Sequence, residues 1–190
     1  STASGQHAVA SAILDAMGTA NDTSIAALMT ENVRKQIPIS YLYSGDDTQL
    51  QAATNAGARV VKVKVGIESL DTDLHRIRHI RSVIDSDVAI RVDANGAWSE
   101  EQALQAIEHM APLGVHSMEE PIGNGDLEAM ARLRGNGIQI ALDESVRSIS
   151  ELENIIALNA ADAIVIKPML IGTPMRSMDM MKRADEAGLH

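Results

Sequence analysis

Four short apolar runs in this sequence each end in a charged residue, and they recur at nearly constant intervals. The charged residues are Asp93, Glu119, Asp143 and Lys167, so the steps between them are 26, 24 and 24 residues. Each step has the length of one strand followed by one helix, and turn formers such as Asn95 and Gly96 separate the two. A chain with this repeat is expected to fold as alternating strands and helices, with consecutive strands parallel.

The apolar patterns divide the chain into a helical beginning and an alternating remainder. Helical spacing is present at 6–17 and 24–35, and strand-like and helix-like patterns alternate from residue 38 onward. The predicted strands are 38–43, 59–66, 88–93, 115–118, 138–142 and 162–167, and the predicted helices that follow them are 47–56, 70–84, 99–110, 126–134, 149–158 and 174–187. We therefore predict a helical segment at 1–36 and an α/β domain at 37–190.

Two architectures contain this alternation, an open doubly wound sheet and a barrel. An open sheet binds its ligand at one switch point, commonly with a glycine-rich phosphate turn, and no such turn follows any predicted strand. Charges at four strand ends converge only if the sheet curls, because functional groups of barrels lie at the carboxyl ends of the strands. We predict a parallel (β/α) barrel with about six strands present. A complete barrel takes about 250 residues, so 190 residues beginning with Ser1 lead us to expect a trimmed or partial chain.

Composition excludes several classes of function. The net charge of −10 disfavours nucleic acid and anionic membranes as partners. The absence of cysteine excludes disulfides and zinc–thiolate sites. No stretch is apolar and long enough to read as a membrane span or a signal peptide, so we expect a cytoplasmic enzyme that acts on a small molecule.

The acids at three neighbouring strand ends predict a metal site. One strand-end acid more commonly caps a helix or pairs with arginine, but three acids in register repel one another unless a cation binds them. Asp93, Glu119 and Asp143 offer only oxygen ligands, which favours Mg²⁺ first and Mn²⁺ second.

Lysines flank these acids along the chain. Lys64 precedes Asp93, Lys167 follows Asp143, and Lys62 shares a strand face with Lys64 because side chains alternate along a strand. Lysine is rarely buried unless it is paired or functional. Burial and a neighbouring cation lower the pKa of a lysine, as a general base requires. Lys62 could equally serve only to neutralise an acid.

Several motifs together resemble those of the enolase superfamily, in its muconate-lactonising subgroup. They are Lys62-Val-Lys64, Asp93-Ala-Asn95, Glu119-Glu-Pro121, Asp143-Glu-Ser145 and Lys167-Pro168. Within the subgroup, three further stretches are most similar to the o-succinylbenzoate synthases of menaquinone biosynthesis: Tyr43-Ser-Gly-Asp46, Ile90-Arg-Val-Asp-Ala-Asn95 with Ala97-Trp98, and Val165–Gly172.

The resemblance implies a set of roles. The superfamily is known for a lysine or histidine base that works with Mg²⁺ on an enediolate. By this resemblance Asp93, Glu119 and Asp143 bind Mg²⁺, Lys64 removes the proton α to a substrate carboxylate, and Lys167 stabilises the enediolate. In the o-succinylbenzoate synthases, the substrate then loses a hydroxyl group and its ring becomes aromatic. Lys62 acts on Lys64 through like-charge repulsion.

Other residues are expected to support the ligands from behind. These are Asn95, Glu144 and Arg91, although Arg91 could equally form a plain packing salt bridge. Glu120 is expected to point away from Glu119 and to serve the structure.

The resemblance leaves other reactions open. N-acylamino-acid racemase, dipeptide epimerase and muconate cycloisomerase use the same lysines and metal. A third alternative is an inactive fragment, because the family's capping domain and last barrel strands have no counterpart in 1–190. We therefore expect this chain alone to be inactive.

Overall fold

The computed structural model describes residues 2–123 and 125–190, and within them six parallel strands alternate with helices. The strands are β1 (Tyr41–Leu42), β2 (Val60–Lys64), β3 (Ala89–Asp93), β4 (Val115–Glu119), β5 (Gln139–Leu142) and β6 (Ala163–Ile164). The helices are α1 (Ala3–Ala20), α2 (Ile25–Met29), α3 (Asp47–Asn55), α4 (Leu70–Val83), α5 (Glu100–Met110), α6 (Leu127–Leu133), α7 (Ile149–Ala157), α8 (Pro168–Ile171) and α9 (Pro174–Glu186).

The strands lie side by side in the order in which the chain makes them, from β1 to β6. Every pairing is parallel, with Lys64 opposite Asp93 and Asp93 opposite Glu119. A doubly wound sheet reverses its strand order at a switch point, whereas a barrel winds in one direction. The observed order confirms the predicted partial (β/α) barrel.

The two faces of the sheet differ in polarity. Val61, Val63 and Ile90 belong to the face that is buried under the helices, which contribute Ile77 and Ile107. Because side chains alternate along a strand, the residues between these valines and isoleucines lie on the other face. That inner face carries the charged residues of the strand ends. The apolar core therefore holds the sheet against the helices and leaves the inner face free for chemistry.

Side chains cap the starts of helices α3 and α5. The Ser99 side chain accepts a hydrogen bond from the backbone N–H of Gln102, and the Gln102 side chain accepts one from the Ser99 N–H. This reciprocal capping box confirms the predicted start of α5. Asp46 caps α3 in a similar way, accepting bonds from the N–H groups of Thr48 and Gln49. These caps fix where the chain leaves each strand-end loop.

Several elements differ from the predictions. The helix predicted at 24–35 ends at Met29, because no core lies beneath residues 30–40. The strand predicted at 162–167 is paired only at Ala163–Ile164, and the unpredicted helix α8 begins directly after Lys167. Pro168 and Gly172 are the signals for that helix, since proline favours the first helical position and glycine the residue after the last.

The first helix packs against the segment that follows β6. The Ser4 hydroxyl donates to the Met169 carbonyl at 3.1 Å, and His7 Nδ1 donates to the Gly172 carbonyl at 3.1 Å. These bonds join the beginning of the chain to α8. Among the described residues, no helix is both long and apolar enough to cross a membrane.

Candidate active site

Three acids lie at the carboxyl ends of adjacent strands. Asp93 ends β3 and Glu119 ends β4, and the two are directly paired across the sheet. Asp143 follows β5 by one residue. All three residues are more than nine-tenths buried, at 3, 8 and 5 % exposure. The structure therefore brings the predicted acids to one edge of the sheet.

Lys62 lies between two of these acids. Its Nζ is 2.9 Å from Asp93 Oδ2 and 2.7 Å from Glu119 Oε2. Burial lowers the pKa of Lys62, but the hydrogen bonds and charges of both carboxylates outweigh burial, so its pKa lies above the ordinary value. Lys62 is therefore held as an ammonium ion that neutralises the two acids.

Lys64 lies beside Asp93, at the end of the neighbouring strand β2. Its Nζ donates to Asn95 Oδ1 at 2.5 Å and is 3.4 Å from Asp93 Oδ2. Nearly half of the Lys64 side chain is exposed, so its ammonium group is open to a molecule in the mouth. Asn95 also donates to Glu144 Oε1 at 3.1 Å, which links the ends of β3 and β5. Asn95 and Glu144 thus lie close to Asp93.

Lys167 approaches from the opposite flank. Its ammonium group forms an ion pair with Asp143, and this bond raises the pKa of Lys167 although burial lowers it. Lys167 is the residue before α8, so Pro168 fixes its backbone in an extended conformation. The two lysines with exposed head groups, Lys64 and Lys167, therefore bracket the row of acids.

The pKa of Glu119 lies above its ordinary value. Burial raises its pKa, and the neighbouring charges of Asp93 and Asp143 raise it further, against the lowering effect of the Lys62 hydrogen bond. Glu119 is therefore the acid at which the charges of its two neighbours raise the pKa.

The side chains as placed do not form the predicted three-carboxylate cluster. Among the described residues, no group of three or more Asp, Glu or His side chains is positioned to hold a metal ion. The acids are paired with lysines instead, Asp93 and Glu119 with Lys62 and Asp143 with Lys167.

The chemistry of the donor set fits a hard divalent cation. Five carboxyl groups and three ammonium groups lie at these strand ends: Asp93, Glu119, Glu120, Asp143 and Glu144, with Lys62, Lys64 and Lys167. The carboxyl groups outnumber the ammonium groups, so the local charge is negative. Glu144 Oε2 is also buried without a hydrogen-bond donor among the described residues. Oxygen ligands and this charge suit Mg²⁺ or Mn²⁺.

Arg91 is the predicted support that the structure does not bring to the acids. It lies on β3 opposite Lys62, its side chain is exposed, and it forms no ion pair or side-chain hydrogen bond with a described residue. Glu120, by contrast, turns away from Glu119 as predicted, and its carboxylate binds the turn that carries Asp143.

Two residues behind Lys64 were missed by sequence reasoning. Arg76 donates to the Lys64 carbonyl at 2.9 Å, and the buried Asp73 accepts a 2.7 Å bond from the Gly66 N–H. Both lie on α4, and an acid in the first helical turn is the signal that could have found Asp73. Gly66 also lies against the Trp98 ring.

The fold and the row of acids and lysines define a class of parallel α/β-barrel enzymes with a carboxylate-lined mouth. Solved structures of this class are similar to the chain. The muconate lactonizing enzyme from Pseudomonas fluorescens complexed with muconolactone superposes with a TM-score of 0.88 at 27 % identity, covering 97 % of this chain and 52 % of that one. The N-succinyl Arg/Lys racemase from Bacillus cereus gives 0.89 at 27 % identity, with coverage of 97 % and 52 %.

Residues 47–190 match the family described as "Enolase C-terminal domain-like", and the chain belongs to this family. N-succinyl-L-Arg/Lys racemase of Bacillus cereus is 29 % identical over 185 residues, which cover 94 % of this chain and 50 % of the relative. Muconate cycloisomerase 1-1 of Acinetobacter lwoffii is 30 % identical over 189 residues, covering 96 % and 49 %. The chain thus spans about half the length of these relatives. The predicted superfamily is confirmed.

Proposed function

We propose that the protein removes a proton α to a substrate carboxylate with the help of Mg²⁺. The observation that carries this proposal is the position of Lys64 and Lys167 on opposite flanks of three buried acids. A base on one flank and a cation on the other suit a reaction in which negative charge develops between them.

Each residue has a role in this proposal. Asp93, Glu119 and Asp143 would hold the metal ion, which supplies positive charge to the substrate carboxylate. Lys64 takes the α proton, since its head group is exposed and held by Asn95. Lys167 offsets the developing negative charge. Lys62, tied to Asp93 and Glu119, contributes charge rather than proton transfer.

For the reaction itself, dehydration to o-succinylbenzoate is the first candidate. It is supported by the similarity of the stretches around Tyr43, Ile90 and Val165 to the synthases of that product. In this reaction Lys64 would return its proton to the departing hydroxyl group, and Lys167 would act only through its charge.

Racemisation of an N-succinylamino acid is the second candidate. It is favoured by the two exposed lysines, because a racemase needs a proton-transfer group on each face of the α carbon. It is supported further by the racemase among the relatives. The cycloisomerases among the relatives make lactonisation of muconate a further reaction to assay.

Exchange of the α hydrogen in D₂O, followed by NMR, tests the proposal. The protein with Mg²⁺ is incubated with three kinds of compound: the hydroxylated ring precursor of o-succinylbenzoate, each enantiomer of an N-succinylamino acid, and muconolactone, whose α proton is removed when lactonisation runs in reverse. Lys64→Ala should slow turnover by about 10²–10⁴-fold, the usual contribution of a general base. Lys182→Ala, an exposed lysine on α9, should change nothing.

The pattern across variants separates the candidates. In dehydration Lys64→Ala stops the reaction and Lys167→Ala slows it. In racemisation each variant should stop exchange from one enantiomer and spare exchange from the other. Native turnover in Lys64→Ala would show that the base is misassigned.

A further inference from the structure

Glu120 is an acid at the mouth that the proposed chemistry does not use. It is 2 % exposed and directly follows Glu119 at the end of β4. Its φ of +39° lies in the left-handed region, which residues other than glycine rarely adopt. This conformation lets two successive residues, Glu119 and Glu120, both bury their carboxylates while serving different strands.

The Glu120 carboxylate is occupied by the turn that follows β5. Its Oε2 accepts hydrogen bonds from the backbone N–H of Asp143 at 2.8 Å and of Ser145 at 3.4 Å. Its Oε1 accepts a short bond from the Ser145 hydroxyl. Three donors of one turn therefore converge on one buried carboxylate.

The backbone of Glu120 joins the neighbouring strand ends. Its N–H donates to the Ala141 carbonyl at 2.8 Å, and its carbonyl accepts a 2.6 Å bond from the Gly96 N–H. Glu120 thus connects the end of β4 to the loop after β3 and to β5 with its turn. Asp93, Glu119 and Asp143 belong to these three places.

We propose that Glu120 is a positioning residue, whose carboxylate holds the Asp143–Ser145 turn so that Asp143 faces Glu119 and Glu144 faces Asn95. This role rests on the proposed function in one respect, namely that Asp93, Glu119 and Asp143 bind a metal ion. Its physical basis is that hydrogen bonds to an ionised acceptor are about twice as strong as neutral ones. Residues that orient metal ligands in this way commonly change metal affinity about 10–100-fold when they are replaced.

Two measurements on the Glu120→Gln variant test this role. Glutamine has the same shape, but its amide group cannot accept bonds from all three donors. Hydrogen exchange of the Asp143 N–H, read by NMR without metal, should become faster by on the order of 10-fold. The affinity for Mn²⁺, read by electron paramagnetic resonance, should fall about 10–100-fold.

Asp73→Asn is the matched control. Asp73 is equally buried and also accepts a backbone N–H, that of Gly66, but it does not touch the acids. Asp73→Asn should lower the melting temperature, while the affinity for Mn²⁺ and the exchange rate of the Asp143 N–H remain those of the native protein. A general loss of stability is thereby separated from a loss of positioning.

Ser145→Ala keeps the proposal testable if Glu120→Gln does not fold. It removes one of the three donors, so it should shift both measurements in the same direction by less. Native Asp143 exchange in Glu120→Gln, or in Ser145→Ala where only that variant folds, overturns the proposal. Failure of the native protein to bind Mn²⁺ would contradict the proposed function, while Asp143 exchange would still decide the role of Glu120.

Discussion

At the scale of single residues, two loops of the mouth meet through glycine backbones. Gly96 has a φ of +73°, and a Cβ atom built on it would lie 2.8 Å from Gly123 Cα. Gly135 has a φ of +79° but has no atom within 4 Å of such a Cβ. Comparing Gly96 with Gly135 therefore separates two destabilising effects of a Cβ atom: the strain of a left-handed backbone and the steric clash with a neighbouring loop.

Gly96→Ala should therefore be more destabilising than Gly135→Ala. A left-handed alanine costs roughly 1–2 kcal/mol in either place, and at Gly96 the overpacking adds about 1–3 kcal/mol. Urea denaturation of the two variants beside the native protein measures both costs. Equal losses would mean that the loops move apart without penalty.

Lys62 makes stability depend on alkaline pH. Its pKa is raised above the ordinary 10.5, so its contribution is fully present below about pH 10.5 and is lost as the pH rises through the folded-state value. Lys62→Met should cost about 1–3 kcal/mol near neutral pH, less than the roughly 3–5 kcal/mol typical of fully buried pairs. About a quarter of the side chain is exposed, at 26 %.

The difference in unfolding free energy between native protein and Lys62→Met should shrink as the pH rises above about 10.5. Urea titrations at a series of pH values with a chelator present would measure it. A difference that stays constant over this range would show that Lys62 is not held as a charged partner of Asp93 and Glu119.

The positions of site residues could be predicted from the sequence where those residues recur at the ends of successive strands. The register of Asp93, Glu119 and Asp143 shows in the spacing alone. Asp73 could not be assigned to Gly66, because the bond depends on how α4 packs behind β2. Whether Arg91 pairs with an acid could not be predicted for a similar reason. The strand face on which a long side chain lies does not determine which partner its charged end reaches.

At the scale of elements, helix α7 allows the stabilising effect of its buried face to be compared with that of its exposed face. Ile155 is fully buried, at 0 % exposure, whereas Ile149 in the same helix is 50 % exposed. Ile155→Ala should cost about 2–5 kcal/mol, because it leaves a cavity beneath the sheet. Ile149→Ala should stay within about 0.5 kcal/mol of native. Chemical denaturation of both variants measures this, and similar losses would contradict the assigned face.

The elements that sequence predicted best are those between two packed neighbours. The bounds of β3 and of α5 differ from prediction by one residue at most, since their apolar periodicity is satisfied by a core on one side. The strands at the two edges, β1 and β6, are shorter than predicted, as each has one neighbour among the described strands. Helical spacing at 24–35 likewise failed where no core supported it.

At the scale of the whole molecule, stability should be unevenly distributed. In α1 only Gly18 is buried, and Val9, Ile13 and Met17 form an exposed apolar stripe. Strand β3, by contrast, is central to the sheet, with Ile90 and Val92 fully buried. Segments with few buried contacts open at lower free energy than the core.

The amides of α1 should therefore exchange by local opening, while those of β3 should exchange only when the whole domain unfolds. Native-state hydrogen exchange read by mass spectrometry over 3–20 and 89–93 measures both. His7→Ala, which removes the bond to the Gly172 carbonyl, should speed exchange in α1 and leave β3 unchanged. Equal protection of the two segments would contradict this prediction. It would show that the helical segment predicted at 1–36 unfolds only together with the barrel domain, held to it by the contacts between α1 and α8.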